Sequence, residues 1–145
     1  MWWSLLGCAS GPPEITVSVK LEEFPDIGGI DLSVDAVTTR QIDSSWTDPW
    51  ESIPNITEHV TLTTQQPVKT IAWGAIEPGE YEHVFIELNE VNATTSDSLK
   101  IENIVEAIAA SFEYESRSVN VEISLLLWEV ETGDYQLFAI DSTVN

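Results

Sequence analysis

The stretch SVNVEISLLLWEVETGDYQLFAID, residues 118–141, decides the fold predicted for this chain. Apolar residues alternate along its first half, at Val119, Val121, Ile123, Leu125 and Leu127. A period of two places them on one face of a β-strand, while Leu126 and Trp128 give the other face apolar side chains too. Gly133 can take the positive φ that a tight turn needs. The stretch therefore predicts a long antiparallel hairpin that returns over residues 135–140.

The same alternation recurs upstream. Ile15, Val17 and Val19 are separated by polar residues, and this pattern predicts a first strand over residues 15–21. Further strands are predicted at residues 30–42, 59–64, 68–76, 81–88 and 110–115, with Pro and Gly in the connections between them. The interpretation is a mainly β protein, an antiparallel β-sandwich of seven to eight strands. Residues 1–13 form an N-terminal segment and tether, and residues 14–145 form a single sandwich domain.

One segment, residues 99–110, fits a helix better than a strand. Its apolar residues recur at i, i+3, i+4 and i+7, which are Ile101, Ile104, Val105 and Ile108. This spacing puts them on one face of a helix, and Asp97 or Ser98 is available as the N-cap. The sequence therefore predicts one short helix here.

The chain is strongly acidic, with 25 acidic and 5 basic residues and a formal net charge of −20. Nucleic acid is excluded as a partner, because phosphate recognition needs a basic surface. Three explanations stay open: a solvated surface on an extracellular protein, adaptation to high salt that screens self-repulsion, or binding of divalent cations.

The N-terminal Leu5-Leu6-Gly7-Cys8 resembles a lipobox, the signal that directs a diacylglyceryl group onto cysteine. Residues 9–13, Ala-Ser-Gly-Pro-Pro, have the composition of a flexible tether. Cys8 is therefore the predicted lipidation site, with the membrane as partner through the lipid. Because no basic region and no full apolar region precede Cys8, an apolar segment with a free thiol is the alternative.

Three motifs carry a family resemblance. They are the opening Ile15-x-Val17-x-Val19, the turn Ile76-x-Pro-Gly-x-Tyr81 with its Val84-x-Ile86-x-Leu88 strand, and the return Tyr135-x-Leu137. Over about residues 14–140 the chain resembles an uncharacterised family of archaeal and bacterial surface lipoprotein domains. That family has a sandwich related to the transthyretin and carboxypeptidase-regulatory types. The resemblance implies a place outside the cytoplasm, in the cell envelope or at the cell surface, and supplies no catalytic residues.

A long connection over residues 43–55 is the best candidate for a binding surface, because long loops in compact domains are often functional. It contains Trp46 and Trp50. These tryptophans either cover the edge of the core or form an exposed aromatic platform for a glycan or a partner protein.

Other candidate chemistry is sparse. Asp31 and Asp35 make calcium the one cofactor to consider, although no Asp-x-Asp-x-Asp-Gly loop is present. His59 and His83 are too few for a zinc site. No nucleophile motif or phosphate-binding loop occurs, so the chain is not predicted to be an enzyme.

Two N-glycosylation sequons are present, Asn55-Ile-Thr57 and Asn92-Ala-Thr94. They predict glycosylation at Asn55 and Asn92 if the protein is exported by a host that glycosylates.

The leading interpretation is a non-enzymatic extracytoplasmic surface module, a lipid-anchored binding or structural protein. The alternative is a subunit of an extracellular filament that binds like subunits. There, residues 1–13 of one chain would add as a strand to the next. The side chains that act as plugs would be Trp2, Trp3, Leu5 and Leu6.

Overall fold

The computed structural model describes residues 12–23, 28–42, 50–94 and 99–145. These residues form eleven β-strands and no helix. The strands are β1 (Ile15–Leu21), β2 (Gly29–Gln41), β3 (Glu51–Ser52), β4 (Asn55–Ile56), β5 (His59–Thr63), β6 (Val68–Gly74), β7 (Gly79–Ala93), β8 (Lys100–Asn103), β9 (Ile108–Tyr114), β10 (Val119–Glu131) and β11 (Asp134–Val144). Within the same residues, no helix is long and apolar enough to cross a membrane.

The strands make two sheets that pack together, which confirms the mainly β sandwich. Sheet A has the order β4-β6-β1-β10-β11-β8. Sheet B has the order β3-β2-β7-β9, and β5 also pairs with β2. The count of eleven exceeds the seven to eight predicted because β3, β4 and β8 are only two to four residues long. Strands this short are invisible to a test for alternation.

The predicted closing hairpin is confirmed. β10 pairs with β11 in antiparallel register, and Glu131 lies opposite Asp134 across a two-residue turn. Gly133 in that turn has a φ of 85°, a conformation that glycine adopts at little cost. The side chains at alternate positions of β10, among them Ile123 and Leu125, are buried between the sheets.

The centre of sheet A is not antiparallel. β1 lies between β6 and β10 and runs parallel to β10, from Ile15 opposite Val119 to Leu21 opposite Leu125. β8 is also parallel to its neighbour β11. Sheet A is therefore mixed. The sequence did not reveal the parallel pairs, because hydrophobic alternation predicts which face of a strand is buried but not which strand lies beside it.

The short helix predicted near residues 99–110 is wrong. The segment forms β8, a connection over residues 104–107, and then β9. Asn103 ends β8, since its side-chain oxygen accepts a hydrogen bond from the backbone N of Val105 at 3.0 Å. Local side-chain bonds of this kind compete with helix formation, and β-branched isoleucines suit strands.

Candidate functional site

A cleft of about 550 Å³ opens on the outer face of sheet B, between β2, β7 and the connection that joins β8 to β9. Its lining residues are Thr38, Trp50, Phe85, Glu87, Val105, Glu106 and Ala107. We refer to it as the Trp50 cleft. Its volume falls within the range of small-molecule sites, about 300 to 1,000 Å³.

The alternation of β7 places the floor of the cleft. Val84 and Ile86 are buried in the core, so Phe85 between them faces outward. Thr38 lies opposite Phe85 in the register between β2 and β7. An aromatic and a hydroxyl side chain therefore lie side by side on the outer face of the sheet.

Trp50 forms the wall of the cleft. Its ring centroid is 6.4 Å from that of Phe85, and the two planes meet at 70° in an edge-to-face contact. The ring of His83 lies 6.3 Å away at 51°. Edge-to-face pairs are a favourable aromatic geometry, and here the rings of Trp50 and Phe85 make a corner instead of a flat platform.

The residue after Trp50 is held firmly. Glu51 lies opposite Thr39 in the pairing of β2 with β3. Its carboxylate accepts one hydrogen bond from the Tyr81 hydroxyl at 2.9 Å and another from the backbone N of Glu77 at 2.8 Å. The backbone and side chain of Glu51 thus both fix the chain where Trp50 enters the cleft.

Tyr81 anchors this arrangement from the core side of sheet B. Its side chain is fully buried, and its ring stacks on Phe112 with centroids 5.1 Å apart. Its hydroxyl lies within donating distance of the Glu51 carboxylate and of the Glu77 carbonyl, and accepts from Gln41 at 3.3 Å. Burial first, and then the hydrogen bond to Glu51, raise the pKa of Tyr81 well above its usual value. Tyr81 therefore stays neutral and keeps the proton that it donates.

The Pro78-Gly79 turn before Tyr81 does not have type II geometry. Gly79 has a φ of 157°, far from the roughly +80° of that turn type, and it is already the first residue of β7. A Cβ at Gly79 would lie 2.7 Å from Nε2 of Gln41. The glycine therefore makes room for the side chain that donates to Tyr81.

The structure places only part of the predicted aromatic surface. Trp50 lines the cleft, whereas Trp46 and the predicted lipidation site Cys8 lie outside the described residues. Phe85, Glu87 and Glu106 join Trp50 in the cleft and were missed by sequence reasoning. The signal for Phe85 was an aromatic residue at the outward position of the Val84-x-Ile86 alternation.

The predicted calcium ligands are not gathered into a site. Asp31 and Asp35 are both exposed, and Oδ1 of Asp31 accepts a hydrogen bond from the Thr61 hydroxyl. In the described part of the chain, no group of three or more His, Cys, Asp or Glu side chains is arranged to hold a metal ion. The two histidines lie apart on sheet B, with His59 opposite Ser33 and His83 opposite Arg40.

The two sequon asparagines have different surroundings, although both are exposed. Nδ2 of Asn55 donates to the backbone carbonyl of Trp73 at 3.0 Å, across the pairing of β4 with β6. Nδ2 of Asn92 donates to the side chain of Glu90 at 2.9 Å. A glycan on Asn55 would disturb a contact to a paired strand, whereas one on Asn92 would displace only a flexible side chain.

A second apolar surface lies near the end of the closing hairpin. Trp128 and Val130 are exposed by 58% and 53%, and we call them the hairpin patch. Ile140 is also exposed, but it lies farther from the turn, next to Ala139, which pairs with Leu125. The pairing of β1 with β10 ends at Leu125, so the edge of β10 beyond Leu125 is not paired with β1. None of the residues of the hairpin patch lines the Trp50 cleft.

Comparisons with protein-family models, with curated proteins and with solved structures give no match to this chain. The family resemblance and the place in the cell envelope therefore stay predictions from the sequence, and the case for a function rests on the geometry of the cleft.

Proposed function

We propose that this chain is a non-enzymatic binding module of the cell envelope that takes a ligand in the Trp50 cleft. The observation that carries the proposal is an apolar cleft of small-molecule size whose Trp50 wall is fixed through Glu51. Ligand sites of this kind combine aromatic walls with a few polar groups that orient the ligand. Trp50 and Phe85 supply the aromatic walls. The polar groups are those of Thr38, Glu87 and Glu106.

Binding would gain from the rigidity of the scaffold. Thr38 and Phe85 belong to paired strands of sheet B. Glu51, the residue after Trp50, pairs with Thr39 of β2, and its carboxylate accepts hydrogen bonds from Glu77 and Tyr81. A preformed site loses less conformational entropy when the ligand binds. The cleft would therefore bind without a large rearrangement of β2 or β7.

Titration followed by NMR tests this function. The full chain is titrated with a set of neutral saccharides, organic cations and short peptides, while the indole N–H signal of Trp50 is followed. Trp50→Phe assigns that signal. We expect at least one class to shift it in a saturable way, and Trp128→Phe to leave that shift unchanged. If no class moves the Trp50 signal, the proposed function is wrong.

The tether is a separate part of the proposal and rests on the lipobox resemblance at Cys8. Intact-mass measurement of the protein purified from its native envelope tests it. A chain that begins at Cys8 and carries a diacylglyceryl group supports the tether. An unmodified chain that retains Trp2 and Trp3 overturns it.

A second candidate function, a subunit of an extracellular filament, is favoured by the hairpin patch. Exposed apolar patches often mark contacts with other proteins, and Trp128 is the largest side chain of this one. Sedimentation and electron microscopy of the native protein test this function. Polymers that dissociate in Trp128→Thr would support it, and a monomer at all concentrations would exclude it.

A further inference from the structure

We infer that the ligand of the Trp50 cleft is a small organic cation that carries a quaternary or primary ammonium group. The inference rests on the proposed function, since it assumes that the cleft is a ligand site. Three features of the cleft support a cation over a neutral ligand: the charge of its lining, the chemistry of its walls and the angle between its rings.

Among the described residues, the charged side chains that line the cleft are negative. They are Glu87 and Glu106, and the described part of the lining contains no basic residue. The next outward pair of the register, Arg40 opposite His83, carries basic side chains but does not line the cleft. Clefts lined by one sign of charge concentrate ligands of the opposite sign, and the net charge of −20 acts in the same direction.

The walls of the cleft suit a cation as well. The faces of tryptophan and phenylalanine rings carry negative potential, and a cation within about 6 Å of a ring centroid is attracted to it. Tryptophan is the strongest of these partners. Trp50 therefore supplies attraction through its ring, while Glu87 and Glu106 supply it through their carboxylates.

The angle between the rings favours a compact ligand. Trp50 and Phe85 meet at 70°, so together they form a corner. Extended saccharides gain most from rings that lie flat along one platform, because each sugar then covers a ring face. A trimethylammonium or aminomethyl group, by contrast, is nearly spherical and can contact both rings at once.

Choline chloride and 3,3-dimethylbutan-1-ol are the matched probes, because they have the same shape and differ in the charged nitrogen. Both are titrated into the full chain, with calorimetry and the Trp50 indole signal as readouts. We expect choline to bind about tenfold more tightly than the neutral alcohol. Added salt should weaken choline binding and leave the alcohol unchanged.

Variants locate the charge that matters. Glu87→Gln and Glu106→Gln should each weaken choline binding about two- to fivefold, as expected for an exposed charge contact. Glu113→Gln is the control: Glu113 is exposed on β9, does not line the cleft, and its replacement changes the net charge by the same amount. Trp50→Leu should abolish saturable binding.

Equal binding of choline and the alcohol would overturn the inference, as would an equal loss in Glu113→Gln and Glu87→Gln. If a neutral saccharide moves the Trp50 signal and choline does not, the inference is wrong and the proposed function stands. If neither these probes nor the wider set move it, both are wrong.

Discussion

Trp50 and Trp128 both lie on the outside of the sandwich, yet their surroundings differ. Trp50 is half buried, packs against Phe85 and His83, and precedes a residue bound to the Tyr81 hydroxyl. Trp128 is 58% exposed and lies opposite Gln136, beyond the point where β1 stops pairing with β10. An aromatic residue becomes part of a defined site when neighbouring strands fix its position, and it is otherwise part of a general contact surface.

The largest loss of stability is expected when the hydrogen bond between Tyr81 and Glu51 is removed. Tyr81→Phe deletes the hydroxyl that donates to the Glu51 carboxylate. We expect the free energy of unfolding to fall by about 2 kcal/mol, as for hydrogen bonds to charged groups. Chemical denaturation measures the loss, and the Trp50 indole signal should shift in the folded variant.

Tyr114→Phe is the matched control for this variant. Tyr114 is also buried, but its hydroxyl donates to a neutral group, the carbonyl of Pro13, at 2.6 Å. We expect a loss of about 1 kcal/mol and no shift of the Trp50 signal. Equal losses and equal shifts in the two variants would show that Tyr81 does not support the cleft.

Alkaline pH should weaken the hydrogen bond between the Tyr81 hydroxyl and Glu51. The pKa of Tyr81 is raised in the folded state, whereas an unfolded tyrosine ionises near pH 10. The contribution of the Tyr81 hydroxyl to the free energy of unfolding is therefore fully present below about pH 10. It is lost as the pH rises toward the pKa of Tyr81 in the folded state. It adds up to about 1.4 kcal/mol per pH unit to the fall in stability. Denaturation at pH 9 and pH 11 should show a shallower fall in Tyr81→Phe, and equal falls would contradict the assignment.

Smaller effects should separate the two tryptophans themselves. Trp50→Leu removes two ring contacts and should cost about 1 kcal/mol of stability. Trp128→Leu should change stability by no more than about 0.5 kcal/mol, as for most surface substitutions. Thermal unfolding of both variants checks the difference, and a larger loss in Trp128→Leu would reverse the comparison.

The smallest contrast is expected at the two sequons, whose asparagines differ in their hydrogen-bond partners. Asn92 should be the glycosylated residue in a host that modifies sequons, because Nδ2 of Asn55 is bonded to the carbonyl of Trp73. Peptide mass mapping after expression in such a host identifies the modified residue. Modification of Asn55 alone would show that this hydrogen bond gives no protection.

Much of the fold could be predicted from local alternation. Val119 to Leu127 and Ile15 to Leu21 each bury alternate residues as expected. The helix near residues 99–110 failed because four apolar residues matched helical spacing by coincidence, while the Asn103 bond to Val105 ends a strand there. The parallel pairing of β1 with β10 had no local signal, since it depends on tertiary packing.

The site was less predictable than the fold. Trp50 was selected because it lies in a long connection, and the structure places it in the cleft. Glu106 lines the same cleft from the connection between β8 and β9, which the sequence had assigned to a helix. Only the three-dimensional path of that connection brings Glu106 and Glu87 together, so spacing along the chain could not reveal the pair.

The position of β1 has a consequence for how the molecule folds. β1 is central in sheet A, and its parallel pairing joins Ile15 to Val119, near the opposite end of the chain. Closing so long a loop is entropically costly before any contact offsets it, and chains rich in such contacts fold slowly. During synthesis, β1 can pair with β6 once residues 68–74 have emerged, but its edge toward β10 must wait for residues 119–125. Until then the partly made protein exposes the unpaired edge of an apolar strand that chaperones or proteases can recognise.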